Sequence, residues 1–362
     1  MPIRNESRRT AVDVRSPARL HIGMLAFGNP AVRSFGGVGM MVDRPGVHLR
    51  MRRSSRFEAR GPLAERAVEF ARTCAEGWNL GSAACAVEVL AAPASHVGLG
   101  SGTQMALAVA AGMHHLFVRE IEEDDLPPPP PHPTQEEVSP TDHEWTFDSR
   151  EAQEFARITG RGRRSCVGVH GFSRGGLIVE AGRRLPSDAG GEPVAEFSPM
   201  VARVRLPSTW RCVVIVGRDG VGLHGAQEAA EFAGLPPMDT AVSAELSRLA
   251  LLEMLPAAVE GKFAEFAAAL GAYGRLAGRP FADAARRLPY TEATAHLLEL
   301  LVELGVPGCA QSSWGPAVMA CCESLEAAGT LVERLERLQL DDHHEIVIAK
   351  FDAQGATLRV LE

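Results

Sequence analysis

The segment Pro93-Ala94-Ser95-His96-Val97-Gly98-Leu99-Gly100-Ser101-Gly102-Thr103-Gln104 sets three glycines at alternate positions between two apolar stretches. Glycine lets backbone N–H groups approach an anion closely, and a helix starting there adds unpaired donors and a favourable dipole. Ser101 and Thr103 either cap such a helix or offer hydroxyls to a phosphate or its metal ion. The same pattern fits an ordinary glycine-rich turn, so the spacing alone leaves both readings open.

Three further groupings are candidates for chemistry. Arg161, Arg163 and Arg164 put three guanidiniums on one short loop broken by Gly162. Such forks suit bidentate contacts to phosphate or carboxylate, the alternative is a solvated basic loop, and in a chain of net charge −8 the concentrated triplet favours the first. Gln311-Ser312-Ser313-Trp314-Gly315-Pro316 is a second polar loop, with hydroxyls and a flat aromatic that either meet a ligand or form a cap with a packed tryptophan. Arg19 and His21, alternate residues of a strand-like stretch, face one side together, toward an anion or toward solvent.

Other chemistries are excluded or weakened. Lys262 and Lys350 are the only lysines and neither sits in a glycine loop, so a pyridoxal (PLP) Schiff base and a phosphate-loop nucleotidase are out. Gly220-Val221-Gly222-Leu223-His224-Gly225 fits the dinucleotide fingerprint, but residues 241 to 255 read as helix where a Rossmann unit needs its next strand, so NAD is not expected. His114-His115 and His343-His344 are adjacent pairs that point apart, and no H-E-x-x-H or G-x-S-x-G occurs, so metal ligands are not assigned. Seven cysteines, Cys74, Cys85, Cys166, Cys212, Cys309, Cys321 and Cys322, show no finger spacing and read as reduced, buried thiols. The acidic balance argues against nucleic acid or an anionic membrane, and no apolar run reaches the ~18 residues of a spanning helix. A cytoplasmic protein is expected.

The elements that must position these groups follow from pattern. Val12 to Met24 and Gly39 to Arg52 read as strands with Gly36-Gly37 as a flexible joint, 63 to 77 as a helical stripe, Ala83 to Ala92 as a strand and Thr103 to Val118 as a long apolar helix. Residues 121 to 147, with their proline run, read as an exposed connector. A helix at Ser149 to Ile158 precedes the arginine loop, and Val167 to Phe172 with Gly176 to Ala181 read as a strand pair. Arg183 to Phe197 is the expected lobe boundary, giving lobes of 1 to 190 and 191 to 362. Trp210 to Gly217 reads as a buried strand, 226 to 303 as largely helical, and Ile346 to Phe351 with Thr357 to Leu361 as terminal strands. With hydrophobic content of 46% and charged content of 23%, the 362 residues make an ordinary globular chain of mixed α and β.

Several separated segments agree with one family. PASHVGLGSGTQMALAVA resembles the phosphate motif of the GHMP superfamily, SPARLHIGM with FGGVGMMVDRPG its N-terminal motif, and PGCAQSSWGPAV its C-terminal glycine motif. ARLHIGM, GLGSGTQ, GRGRRS-x-VGVHGF-x-x-GG and QSSWGP together resemble the β-ribofuranosylaminobenzene 5′-phosphate synthases of methanopterin biosynthesis. Laid on the kinases' G-x-P-S-G-x-D segment, Gly162 to Gly168 put Gly168 at the aspartate position, so the kinase base is missing.

The resemblance implies a two-lobed α+β GHMP-kinase-like fold with the active-site cleft between the lobes. It implies phosphoribosyl transfer from phosphoribosyl diphosphate (PRPP) to 4-hydroxybenzoate or 4-aminobenzoate, with release of CO2 and diphosphate. In that reading Gly98, Gly100, Ser101, Gly102, Thr103 and Gln104, with Arg161, Arg163 and Arg164, bind the donor, and Mg2+ accompanies its diphosphate. Gln311, Ser312, Ser313 and Trp314 line the aromatic acceptor, and Arg19, His21 and Ser312 are the catalytic candidates. A homodimer is the family expectation. The alternatives are a GHMP-type ATP-dependent small-molecule kinase and a non-catalytic PRPP- or nucleotide-binding homologue.

Overall fold

The computed structural model describes residues 11–28, 33–119, 144–184, 197–218, 222, 234–279 and 291–361. The first half runs β1 (Ala11–Met24), β2 (Arg33–Ser54), β3 (Glu58–Arg60), α1 (Ala64–Gly77), β4 (Ala84–Ala91) and α2 (Ser101–Met113), which continues as a π-helical turn over His114–Val118. Then come β5 (Glu144–Thr146), α3 (Ser149–Ile158), α4 (Val167–Arg174) and β6 (Leu177–Arg184). The second half holds β7 (Met200–Val204), β8 (Arg211–Gly217), α5 (Thr240–Arg248), α6 (Leu255–Glu260), α7 (Phe263–Gly278), α8 (Glu292–Glu303), β9 (Cys309–Gln311), β10 (Val318–Cys322), α9 (Leu325–Arg337), β11 (His344–Lys350) and β12 (Thr357–Leu361).

Two sheets organise these elements. The first runs β3-β4-β2-β1-β12-β5, with β6 pairing the N-terminal part of β2 and β7 pairing β6. The second runs β11-β8-β10-β9. Strands on both sides of residue 190 share the first sheet, since β7 and β12 hydrogen-bond into it, so a cut there divides the sequence but not the sheets. One core lies between α1 to α4 and a face of the first sheet, with Val12, Val14, Leu49 and Met51 fully buried. A second lies between the sheets, where Leu20 and Met40 meet Val214, Met319 and the α5 to α7 helices, and a third lies under α8 and α9.

Three expectations are corrected. Gly36 and Gly37 lie inside β2 and are no joint: a side chain at Gly36 would stand 2.7 Å from the Ala181 carbonyl carbon, so these glycines permit close strand approach. Val167 to Phe172 is helical, not a strand. Every residue from Val167 to Ser173 is buried, and a short element buried on all sides carries no period by which a helix could be told from a strand. Of the expected connector, Glu144–Thr146 forms β5 against β12, with the Arg119 guanidinium 4.0 Å from the Trp145 ring centroid; 120 to 143 lie outside the described residues. The fingerprint at 220 to 225 also lies outside them apart from Gly222, whose N–H donates to the His96 carbonyl at 2.8 Å.

Candidate active site

The glycine loop leaves β4 and enters α2, whose residues Gln104 to Met113 are all buried, so the helix is fixed in the core with its first turn facing outward. Gly98 and Gly100 have φ of 96° and 69°, left-handed values that favour glycine. Gly100 is the N-cap, and no side chain caps the helix. The expected cap by Ser101 or Thr103 is not made: the Ser101 hydroxyl donates to the Ala94 carbonyl at 3.2 Å, while the N–H groups of Thr103 and Gln104 both donate to the Gly100 carbonyl at 3.0 Å. The N–H groups of Ser101 and Gly102, at the very start of the helix, are the donors that face a ligand.

β1 runs beside this loop, the Arg19 N–H donating to the Leu99 carbonyl at 3.0 Å. The turn between β9 and β10 closes the third side. Its Ser312 hydroxyl donates to the Gly98 carbonyl at 2.7 Å and accepts the His21 N–H at 3.0 Å, while the Ser313 N–H donates to the His21 carbonyl at 2.9 Å. The arginine loop forms the fourth side. Its end is pinned by Glu180, whose carboxylate accepts the Cys166 N–H at 2.8 Å at the start of α4.

These segments enclose a cleft of about 380 Å³. Arg19 and His21, the loop residues Gly98, Gly100, Ser101, Gly102 and Thr103, the triplet Arg161, Arg163 and Arg164, and Ser313 with Trp314 all line it. Three predicted residues do not. Gln104 is fully buried, its Oε1 accepting the Ser16 hydroxyl at 2.6 Å and its Nε2 donating to the Gly168 carbonyl at 2.9 Å, so it braces α2 against β1 and α4 and has no face toward a phosphate. Ser312 is fully buried and both its hydrogen-bonding roles are taken by backbone, which removes it from the catalytic and acceptor candidates. Gln311 faces a neighbouring slot instead, its Nε2 donating to the carbonyls of Ser313 and Gly315 at 3.2 and 2.9 Å. That slot is narrower and more apolar, bounded by Ile22, Met24, Gly274 and Ala277, and it meets the cleft at His21, Ser313 and Trp314.

Sequence reasoning passed over Arg66, His96 and Ser165, which also line the cleft, and Glu180 behind it. Arg66 is one of two arginines on the amphipathic helix α1 and carries no spacing signal. His96 adopts φ of 63° and Ser313 φ of 58°, two strained residues that line the same cleft, a feature that backbone alone reveals.

The lining holds five arginines and no carboxylate among the described residues. Burial pulls the Arg161 guanidinium below its ordinary pKa, with repulsion from Arg66 and Arg163 adding to it. His21, 3% exposed, is held down to about 3 by burial and then by Arg19, so its imidazole is neutral, and its Nε2 has no hydrogen-bond partner. Burial lifts Glu180 to about 7 against the opposing pull of its hydrogen bonds and of Arg19. Such a cleft selects a multiply anionic ligand, and the apolar slot beside it suits a flat ring.

No family model matches the chain. Its sequence is 28% identical over 324 residues to the β-ribofuranosylphenol 5′-phosphate synthase of Archaeoglobus fulgidus, covering 86% of this chain and 88% of the relative. It is 27% identical to the protein of that name from Methanothermobacter thermautotrophicus, covering 88% and 92%. Among solved structures, homoserine kinase of Cytophaga hutchinsonii matches with a TM-score of 0.59 at 14% identity, covering 99% of both chains. Mevalonate diphosphate decarboxylase of Staphylococcus aureus matches with a TM-score of 0.59 at 12% identity, covering 98% of both. These neighbours share the fold, and the expected α+β architecture of the GHMP-kinase-like type is the one observed. By sequence across most of its length the chain is a relative of the β-ribofuranosylphenol 5′-phosphate synthases, built on the GHMP-type fold.

Proposed function

We propose that this chain transfers the phosphoribosyl group of PRPP to 4-hydroxybenzoate or 4-aminobenzoate with loss of CO2, as a synthase of methanopterin biosynthesis. The observation that carries the reading is the pairing of an arginine-lined, carboxylate-free cleft with an apolar slot sharing His21 and Trp314. The C1–O bond of the donor breaks as diphosphate leaves, its charge received by the N–H groups at the start of α2 and by the arginines. The ring carbon bearing the carboxylate bonds to C1, the bond to CO2 breaks, and its electron pair restores the aromatic ring. No enzyme nucleophile is required. The neutral His21 offers a hydrogen bond at the slot mouth without adding positive charge beside the oxocarbenium-like carbon.

Many kinases of this superfamily use a carboxylate base, and others manage without one. The corresponding position is Gly168, inside α4, whose carbonyl accepts Gln104. Among the described residues the cleft lining carries no carboxylate, so the side chains present do not fit a protein-held Mg2+. We propose that any Mg2+ the reaction uses would arrive with the donor's diphosphate, where it would offset negative charge on the leaving group. Among the described residues no helix is long and apolar enough to cross a membrane. A cytoplasmic homodimer without nucleic-acid or membrane partners completes the proposal, on the strength of the resemblance and the acidic charge. Thermal stabilisation separates the ligand readings: PRPP should raise the Tm and ATP should not, and stabilisation by ATP alone would favour the kinase.

A further inference from the structure

At the α1 end of the cleft two guanidiniums share one aromatic ring. The Arg161 Cζ lies 4.8 Å from the Phe70 centroid and the Arg66 Cζ 5.9 Å from it. Each is attracted to the ring, but like charges held this close repel, and Arg161 is lowered in pKa by burial first and by Arg66 next. Among the described residues no carboxylate lines this part of the cleft, and the buried Nε of Arg161 has no hydrogen-bond partner. Arg66 is aimed rather than loose. Its Nη1 donates to the Ser95 hydroxyl at 3.2 Å, and a side chain at Gly102 would stand 2.7 Å from its Nη2, so Gly102 is what admits the guanidinium to the loop.

We infer that Arg66 and Arg161 form a separate phosphate-monoester subsite, which takes the 5′-phosphate of the donor. The inference rests on the PRPP reading and on the polarity of the cleft. The slot opens at the His21 and Trp314 end, where the new carbon–carbon bond must form, so C1 of the ribose faces that end. Arg19 lies there too, its Cβ 3.1 Å from where a Gly100 side chain would begin, and it serves the diphosphate together with the glycine loop. The 5′-carbon lies across the ribose ring from C1, and its phosphate reaches the Arg66 end. Arg19 stands against Gly100 and Arg66 against Gly102, so the two subsites meet different residues of the glycine loop and fix the direction in which the donor lies.

Titration calorimetry with ribose 5-phosphate and with inorganic diphosphate, on wild-type protein and on Arg66→Ala and Arg66→Lys, tests this. The expected result is that Arg66→Ala weakens ribose 5-phosphate by about 30-fold, the scale of charge-assisted hydrogen bonds, while diphosphate changes less than about threefold. Arg66→Lys, which keeps the charge and loses the fork, should fall between. Diphosphate weakened as much as ribose 5-phosphate, or ribose 5-phosphate unaffected in both variants, would overturn the subsite. Wild-type protein that binds neither ligand would overturn the donor reading itself, a result distinct from either of these.

Discussion

The Ser312 hydroxyl donates to the Gly98 carbonyl at 2.7 Å while accepting the His21 N–H, so one buried side chain joins the second sheet's turn to the glycine loop and to β1. This bridge holds the two sides of the cleft in register. Ser312→Ala leaves a buried N–H and a buried carbonyl without their partner and should cost about 1–3 kcal/mol of stability. Ser313→Ala, at an exposed neighbour, should cost much less. Denaturant titration of both variants checks the contrast, and equal losses would contradict it.

Donor binding should depend on backbone shape at Gly100 and on charge at Arg163. Gly100 is left-handed at φ of 69°, with Arg19 closing the space a side chain would need, so Gly100→Val should abolish PRPP binding. Arg163→Ala keeps the loop and should raise the KM for PRPP about tenfold, as loss of one charge-assisted contact does. Unchanged KM in both would refute the assignment.

Trp314 lies where cleft and slot meet. Trp314→Ala should raise the KM for the benzoate about tenfold through lost ring packing, with the KM for PRPP moved less. Steady-state kinetics with each substrate varied separately reads this directly.

His21 and Glu180 should pull stability in opposite directions with pH. His21 is lowered from 6.5 to about 3 on folding, so its contribution is complete above about 6.5 and is lost as pH falls toward 3. Glu180 is raised from 4.5 to about 7, so its contribution is complete below about 4.5 and is lost as pH rises through 7. His21→Gln should therefore flatten the acid side of the stability profile. Glu180→Gln should gain on wild type as pH rises from 4.5 to 7. Profiles of the two variants parallel to wild type would rule out both assignments.

How far the site could be read from sequence depends on how each residue came to be there. The glycine loop, the arginine triplet and Trp314 are contiguous in sequence and unusual in composition, so their types alone marked them. Membership of a loop does not say which way a side chain points: Gln104 and Ser312 belong to the right segments but turn into the core, where backbone partners hold them. Arg66 and Glu180 gain meaning only from what folds against them, Phe70 and Gly102 for the first, the start of α4 for the second. The fold was legible where one face is buried, as in β1 and α1, and illegible at α4, where burial on every side erases the period.

The most direct measurement is release of labelled CO2 from carboxyl-labelled 4-hydroxybenzoate and 4-aminobenzoate incubated with the purified protein, Mg2+ and PRPP, with ATP replacing PRPP in parallel. Release from one of the two acids that requires PRPP is the predicted result and names the acceptor. No release from either acid by folded protein that binds PRPP, or release supported equally by ATP, would contradict the account.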